Sequence, residues 1–365
     1  MLNVTVFRDL KEVEALFPEW EKLVQDCELR LPFQTPEWVT NWWRHFRRDG
    51  FLVKDQLQLF ALRDPDGALV AVAPMMLTLR PGIGPIKTRE LQFIGADNNI
   101  TEIRGPICHP ARLQEAFAAL RAHVSGSSCC DWVQWRGIGA GLDAAAQAGD
   151  LIADDGLCNI GFILPLAGDW EQFRSKLPRN IKEALRKCYN SLARDGHKFQ
   201  IRVVSAADDA PAALDRFFAL HNARASRTDT TSHPDIFDTP AAQAFLRDLC
   251  AHKALRGQLR IFELVVAGEV VATRIGFLLG DQLYLYYSGY APAWGRYSVM
   301  TTVVAEAIRW AIEAKCRLVN LSTGADVSKT RWRPQAVSYH GYYEPRSLLH
   351  RQTTFKFIQR ARRRA

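Results

Sequence analysis

The chain has 365 residues, 48% of them hydrophobic and 24% charged, with a formal net charge of +8. This is the composition of an ordinary soluble globular protein, with material for one large or two medium domains. No uncharged apolar run reaches about 18 residues, so no spanning helix is expected, and "MLNVTVFRDLKEVEALF" lacks the features of a signal peptide.

The charge is concentrated in two places. Residues 346–365 hold seven Lys/Arg and no acid, and residues 174–202 hold nine against Glu183 and Asp195, so the rest is mildly acidic. Two local basic elements suggest a specific polyanionic partner at each, rather than general nucleic-acid binding. No RNP, helix-turn-helix or KH pattern is present, so nucleic acid is not expected as a partner. The eight cysteines show no CxxC and no metal spacing with His. They read as buried free thiols, in keeping with a reduced cytoplasm, and no metal is expected.

The first half opens with a strand, "NVTVF". One helix follows over "DLKEVEALFPEWEKLVQDC", with an Asp at its N-cap. "PFQTPEWVTNWWRHF" holds a helix capped by Thr35 with Pro36 at its first position. Two apolar runs around "DPDG" read as a hairpin. Then come a strand "ELQFIG", a loop over 95–110, a helix "ARLQEAFAALRAHV" and a strand "DWVQWRGI".

The second half repeats this order. "KFQIRVVS" is a strand, "DDAPAALDRFFALHNARAS" a helix capped by Asp, and "TPAAQAFLRDLCAHKAL" a helix again opened by Thr-Pro. Residues 258–290 hold three strands joined by tight turns, followed by a helix "SVMTTVVAEAIRWAIEAK" and a strand "RLVNLS". Both halves read β-α-α-β-β-β-α-β. "QLQLFAL" at 56–62 is echoed by "QLRIFEL" at 258–264, which points to duplication. Between the halves, residues 175–196 read as one long basic amphipathic helix. Leu177, Ile181, Leu185, Tyr189 and Leu192 form its stripe, and Gly196 is its stop.

The element order, and above all "YLYYSGYAPAWGRYSVMTTVVAEAIRWAIEAKCRLVNLSTGADVSKTRW" (284–332), resembles the double-GNAT acyltransferases called CelD/BcsL-like, relatives of the FemABX peptidoglycan enzymes. "PFQTPEWVTNWWRHF" and "LPRNIKEALRKCYNSLARDG" also resemble that family's signatures. The resemblance covers nearly the whole chain. It implies an α+β fold of two tandem GNAT-like lobes, each a mixed, mostly antiparallel sheet flanked by helices. The expected divisions are a cleft-shaping first lobe at 1–160, a linker strand and basic helix at 161–198, a donor-binding second lobe at 199–345, and a basic tail at 346–365. It further implies an acyltransferase using acetyl-CoA or a longer acyl-CoA as donor and an amine as acceptor.

Acyl transfer from a thioester needs a phosphate cradle, an oxyanion donor, a base and an acid. The run Gly295, Arg296, Tyr297, Ser298 lies between a strand and a helix, where backbone N–H groups favour anions. It carries part of the Gln/Arg-x-x-Gly-x-Gly/Ala pattern with which GNAT folds bind the pyrophosphate of coenzyme A. Asp326 and Lys329 resemble the family's acidic-then-Lys segment, as an orienting or proton-taking carboxylate and an oxyanion or phosphate holder. Tyr287 or Tyr290 is the candidate acid for the thiolate. Alternation places Tyr284 and Tyr286 on one face of the strand and Tyr287 on the other. His221, on a helix, is the candidate base. Asp97 occupies the first half's matching loop, where the family often carries an acidic acceptor contact. Arg179 and Arg186 suit the phosphates of a lipid-linked or nucleotide-linked substrate. The tail, with Phe355, Phe357 and Ile358 among basic residues, suits an anionic membrane surface.

These features favour a cytoplasmic enzyme, with possible peripheral membrane contact, that acylates an amine of an envelope or exopolysaccharide precursor. The alternatives are acylation of a sphingoid or other lipid amine, and a non-catalytic subunit of a polysaccharide synthase. A third alternative is an aminoacyl-tRNA donor, as in FemABX relatives, which the two basic elements permit, although the coiled-coil arm it calls for is not seen in the sequence.

Overall fold

Local signals place most of the elements. The computed structural model describes residues 2–82, 87–97, 99–139, 151–226, 234–346 and 355–356. In chain order, strand β1 (Asn3–Phe7) leads to helices α1 (Leu10–Glu14), α2 (Phe17–Asp26) and α3 (Pro36–Phe46). Strands β2 (Lys54–Arg63), β3 (Leu69–Pro81), β4 (Lys87–Phe93) and β5 (Ile107–Cys108) follow. Next are helix α4 (Leu113–Ser125) and strands β6 (Trp132–Gly139), β7 (Ile152–Ala153) and β8 (Asn159–Pro165). Then come α5 (Trp170–Lys176), α6 (Arg179–Arg194), β9 (Phe199–Val204), α7 (Ala210–Ala225) and α8 (Pro240–Leu255). The chain continues through β10 (Leu259–Val266), β11 (Glu269–Leu279), β12 (Gln282–Tyr290) and α9 (Val299–Glu313). It closes with β13 (Leu318–Thr323), the short α10 (Val327–Thr330) and β14 (Gln335–Pro345).

The Thr-Pro starts act as expected. Thr35 Oγ1 accepts from Trp38 N at 3.4 Å, and Thr239 Oγ1 from Ala242 N at 3.2 Å. Asp209 stands before α7, but its side chain makes no cap bond. Two expected helices are each broken by a proline. Residues 9–27 form α1 and α2, with Pro18 in the first turn of the second. The basic helix is α5 and α6, parted at Leu177–Pro178, because Pro178 lacks an N–H and disfavours helical geometry in the residue before it. Its C-terminus is as read. Gly196 has φ +76°, its N–H reaches Ala193 O, and His197 N reaches Leu192 O.

The chain divides into two compact units, Met1–Asn159 with Ser338–Ala365, and Ile160–Val337. The first unit's sheet runs β1-β2-β3-β4-β6-β14, antiparallel except for the parallel pair β4–β6. The second runs β9-β10-β11-β12-β13-β8, antiparallel except for the parallel pair β12–β13. The order of pairings is the same in both. Each is a mixed, mostly antiparallel sheet flanked by helices, as in a GNAT fold. "QLQLFAL" falls on β2 and "QLRIFEL" on β10, the matching second strands. In each unit the strand beyond the parallel pair, β14 or β8, comes from sequence outside the repeated eight elements.

Each unit has its own core. In the first, Phe93, Phe117 and Trp135 pack with Phe60, Met75 and Leu91. In the second, Leu185 and Leu192 of α6 pack with Val303, Ile308 and Ile312 of α9 over Phe262, Leu283 and Leu285 of the sheet. The basic helix therefore presents its apolar stripe to its own unit. Phe355 is buried against Trp132 and Tyr343, with ring centroids 5.7 and 5.2 Å away. That corrects the expectation that Phe355 is offered to a membrane. Phe357, Ile358 and most of the basic tail lie outside the described residues.

Candidate active site

The second unit's sheet opens at one place. β12 and β13 pair over only three residues, Gln282 with Leu318, Leu283 with Val319 and Tyr284 with Asn320. Beyond them the two parallel strands diverge, giving a wedge between Leu285–Tyr290 and Leu321–Thr323. A bulge accompanies the divergence. Gly276 faces Leu285 and Arg274 faces Ser288, so Tyr286 and Tyr287 together oppose Ile275. The bulge overturns simple alternation. Tyr286 and Tyr287 both meet the Phe237 ring, at 6.4 and 5.5 Å, whereas Tyr290 packs on the face that carries α9.

Helix α7 lies directly on β12 at this point. A Cβ at residue 289 would stand 2.4 Å from His221 N, so only glycine allows this approach. His221 is 4% exposed, and its ring packs against Phe217, Phe237 and Tyr287. Its Nδ1 is 2.9 Å from the Ser288 carbonyl, which only accepts, so Nδ1 carries the proton. Its Nε2 has no hydrogen-bond partner and lies 3.6 Å from Asp235 Oδ1. Burial pulls the imidazole below its usual range, against the Ser288 bond and the Asp235 charge.

Arg224, one turn after His221, donates to Ser288 Oγ at 2.9 Å, and its charge is felt by Tyr290 and Asp326. It links the helix face of His221 to the strand ends. Sequence reading passed over Arg224, although its i, i+3 spacing from His221 marks it as a neighbour on the same face. Asp235, which also accepts from Asn222 and from Phe237 N, was missed as well, because it comes from a separate loop.

Asp326 N-caps α10 by accepting from Ser328 N at 2.8 Å, and it pairs with Lys329 at 3.3 Å. Burial acts upward on its carboxyl, but the Ser328 bonds and the Lys329 ammonium outweigh it and hold the group below its usual range. Lys329 Nζ also bonds the Thr323 carbonyl at the end of β13. The pair thus ties α10 to the edge of the wedge. Arg331, another residue the reading missed, bonds Thr301 Oγ1 at 3.1 Å in the first turn of α9.

The "APAWGRYS" segment lies between β12 and α9. In it Pro292–Tyr297 is a tight 3-10 turn, and Ser298 takes the left-handed conformation (φ +54°). Ser298 N is spent on the Gly295 carbonyl, and Thr301 N and Thr302 N both turn to Ser298 O. The N–H groups of Val299 and Met300 then open the helix without an intrahelical acceptor. Arg296 is exposed beside them and donates to Tyr297 Oη at 2.6 Å, while Tyr297 Oη donates to Asp195 at 2.9 Å. The Cys188 thiol sits among the Ser298 and Thr302 hydroxyls, and burial pushes it up.

Three further expected contacts have their own local surroundings. Asp97 belongs to the first unit, where it accepts from Trp42 Nε1 at 2.7 Å, Thr101 N at 3.0 Å and Thr101 Oγ1 at 2.8 Å. Burial raises its pKa, with the Thr101 bonds opposing. Arg179 is 92% exposed and paired with Glu183 at 2.7 Å. Arg186 instead lines a groove of about 920 Å³ with Trp170, Tyr189, Phe199 and Glu306. Among the described residues, no His/Cys/Asp/Glu group could hold a metal ion, and no helix is long and apolar enough to cross a membrane.

Residues 179–332, from α6 through α10, match the family model described as an acetyltransferase (GNAT) domain. The chain's fold is similar to the crystal structure of FemX, at 9% identity and TM-score 0.54, covering 93% of this chain and 96% of that one. It is also similar to a tandem GNAT protein from the clavulanic acid biosynthesis pathway (10% identity, TM-score 0.50, 95% and 99% covered). A third likeness is the C-terminal domain of a putative lysylphosphatidylglycerol synthetase from Agrobacterium fabrum (11% identity, TM-score 0.51, 92% of each chain covered). No curated protein matches the chain by sequence. The fold is a tandem GNAT fold, and the domain match supports an acyltransferase.

Proposed function

We propose that the chain is an N-acyltransferase that moves an acyl group from an acyl-CoA-type thioester to an amine of an envelope or exopolysaccharide precursor, as its resemblance to CelD/BcsL-like proteins implies. The observation that carries this reading is the wedge between β12 and β13, with the first turn of α9 at its open end. The N–H groups of Val299 and Met300 there, with Arg296 and Arg331, fit a pyrophosphate. Gly295, Tyr297 and Ser298 shape the turn that presents them.

In this reading the backbone of β12 beyond the bulge lines the thioester, and Arg224 offers positive charge close to the developing oxyanion. Tyr290 is the acid that protonates the departing thiolate, with Tyr287 packed against His221 on the opposite face. His221 acts chiefly by fixing β12 through Ser288, and its Nε2, which makes no hydrogen bond, is the candidate acceptor for a proton of an incoming amine. Asp326 and Lys329 set the rim on the β13 side. Arg186, in its groove, is a contact for an acceptor phosphate.

Thermal shift with acetyl-CoA and with long-chain acyl-CoAs tests the donor. Stabilisation by acetyl-CoA supports the reading, and stabilisation by none contradicts it. Acylation of a lipid amine is the second reading, favoured by an exposed apolar loop at Phe51–Leu52, and stabilisation by long chains alone would select it. Mass spectrometry of envelope lipids and polysaccharides from a deletion strain then identifies the acceptor.

A further inference from the structure

Phe51 is 90% exposed and Leu52 65% exposed, side by side at the tip of a turn in the first unit. The turn is firmly closed. Asp49 bridges Lys54 across its base, and Gly50 N donates to Val53 O at 3.0 Å. Single exposed apolar side chains are common and need no explanation. Two adjacent ones held outward by a closed turn are different, since among the described residues neither belongs to a core cluster and a polar pair would fit the same turn.

Their surroundings are basic. Lys87 lies 5.6 Å from the Phe51 ring centroid. Arg48 and Lys54 flank the turn, but Asp55 and Asp49 neutralise them. Beside the turn, Arg8, Arg44 and Arg47 line a groove of about 760 Å³ together with Asp9, Asp55 and Trp43. Arg44 reaches Glu14 at 3.8 Å, and Asp9 is engaged in capping α1. Arg8 and Arg47 have no carboxylate partner among the described residues. The patch therefore joins an apolar tip to a positive collar in which Arg8 and Arg47 are left without a carboxylate partner among the described residues.

We infer that this face docks on an anionic phospholipid bilayer, with Phe51 and Leu52 entering the headgroup–acyl boundary and Arg8, Arg47 and Lys87 meeting lipid phosphates. The tip supplies apolar burial, and the collar supplies attraction that weakens with salt. A protein partner would be expected to meet a broad apolar surface, whereas here two side chains project from a polar rim. The inference does not depend on which acyl group the second unit moves, and its test requires no turnover.

The test is co-sedimentation of the full chain with vesicles of pure phosphatidylcholine and with vesicles of equal parts phosphatidylcholine and phosphatidylglycerol. The expected result is sedimentation with the anionic vesicles only, reversed by raised salt. Phe51→Ser/Leu52→Ser should weaken it about tenfold, and Arg47→Glu by a similar factor, with unchanged thermal unfolding midpoints. Sedimentation of the double variant at the wild-type level would overturn the inference and hand the contact to another basic element. Failure of the wild-type chain to bind anionic vesicles, or equal binding to both kinds, would overturn it too.

Discussion

Gly289 and His221 meet backbone to backbone: a Cβ on residue 289 would stand 2.4 Å from the His221 amide nitrogen and 2.5 Å from the Leu220 carbonyl carbon. This contact sets α7 directly on the bulged half of β12. Gly289→Ala should therefore destabilise the protein by about 1–3 kcal/mol, because neither backbone yields easily. Denaturant unfolding checks it, and an alanine variant as stable as the wild type would mean the close approach is absent.

The same contact gives His221 a pH signature. Its folded-state pKa is depressed by burial, so the unfolded chain binds the proton more readily. Stability attributable to His221 is present above the unfolded value of about 6.5 and is lost as pH falls below it towards the folded pKa. Wild type should weaken over that window more steeply than His221→Gln. Unfolding curves at a series of pH values read the difference, and parallel slopes would refute it.

Arg224 couples Ser288 to the charges at the wedge. Arg224→Met keeps the aliphatic stem and removes the guanidinium. If Arg224 stabilises developing negative charge, kcat should fall about 100-fold with KM for the donor little changed. A fall confined to stability would make Arg224 a packing residue.

Much of the framework was legible because it is written locally. The Thr35–Pro36 and Thr239–Pro240 starts, the hairpin at "DPDG" and the Gly196 stop each depend on a few adjacent residues. The break at Pro178 was legible in principle and was overridden by the apolar stripe that runs through Leu177. The bulge at Tyr286–Tyr287 was not legible, since alternating and bulged strands have the same composition. Nor were the places of β8 and β14, which depend on pairings distant in sequence. In the candidate site, the segments were found but their inner arrangement was not. Ser298 takes the left-handed turn before α9, and Arg224 and Asp235 join His221 only through folding.

The adjacent cysteines carry a separate prediction. All eight cysteines are free. Cys129 is partly exposed, and its pKa is lowered to about 6, first by the Cys130 thiol, with the Ser127 hydroxyl at 3.0 Å adding to the effect. Cys129 should be largely thiolate at neutral pH and the first cysteine alkylated by iodoacetamide, with Ser127→Ala slowing the reaction. Peptide mass spectrometry over a labelling time course reports the order, and prior labelling of a buried cysteine would contradict it.

The central claim is that the first turn of α9 holds the phosphates of an acyl-CoA-type donor. Isothermal titration of acyl-CoAs into the wild-type chain and into Arg296→Glu tests it most directly. The account predicts saturable binding of one donor per chain by the wild type, weakened at least about tenfold by the loss of this exposed cation. No binding of any acyl-CoA, or undiminished binding by Arg296→Glu, would contradict it.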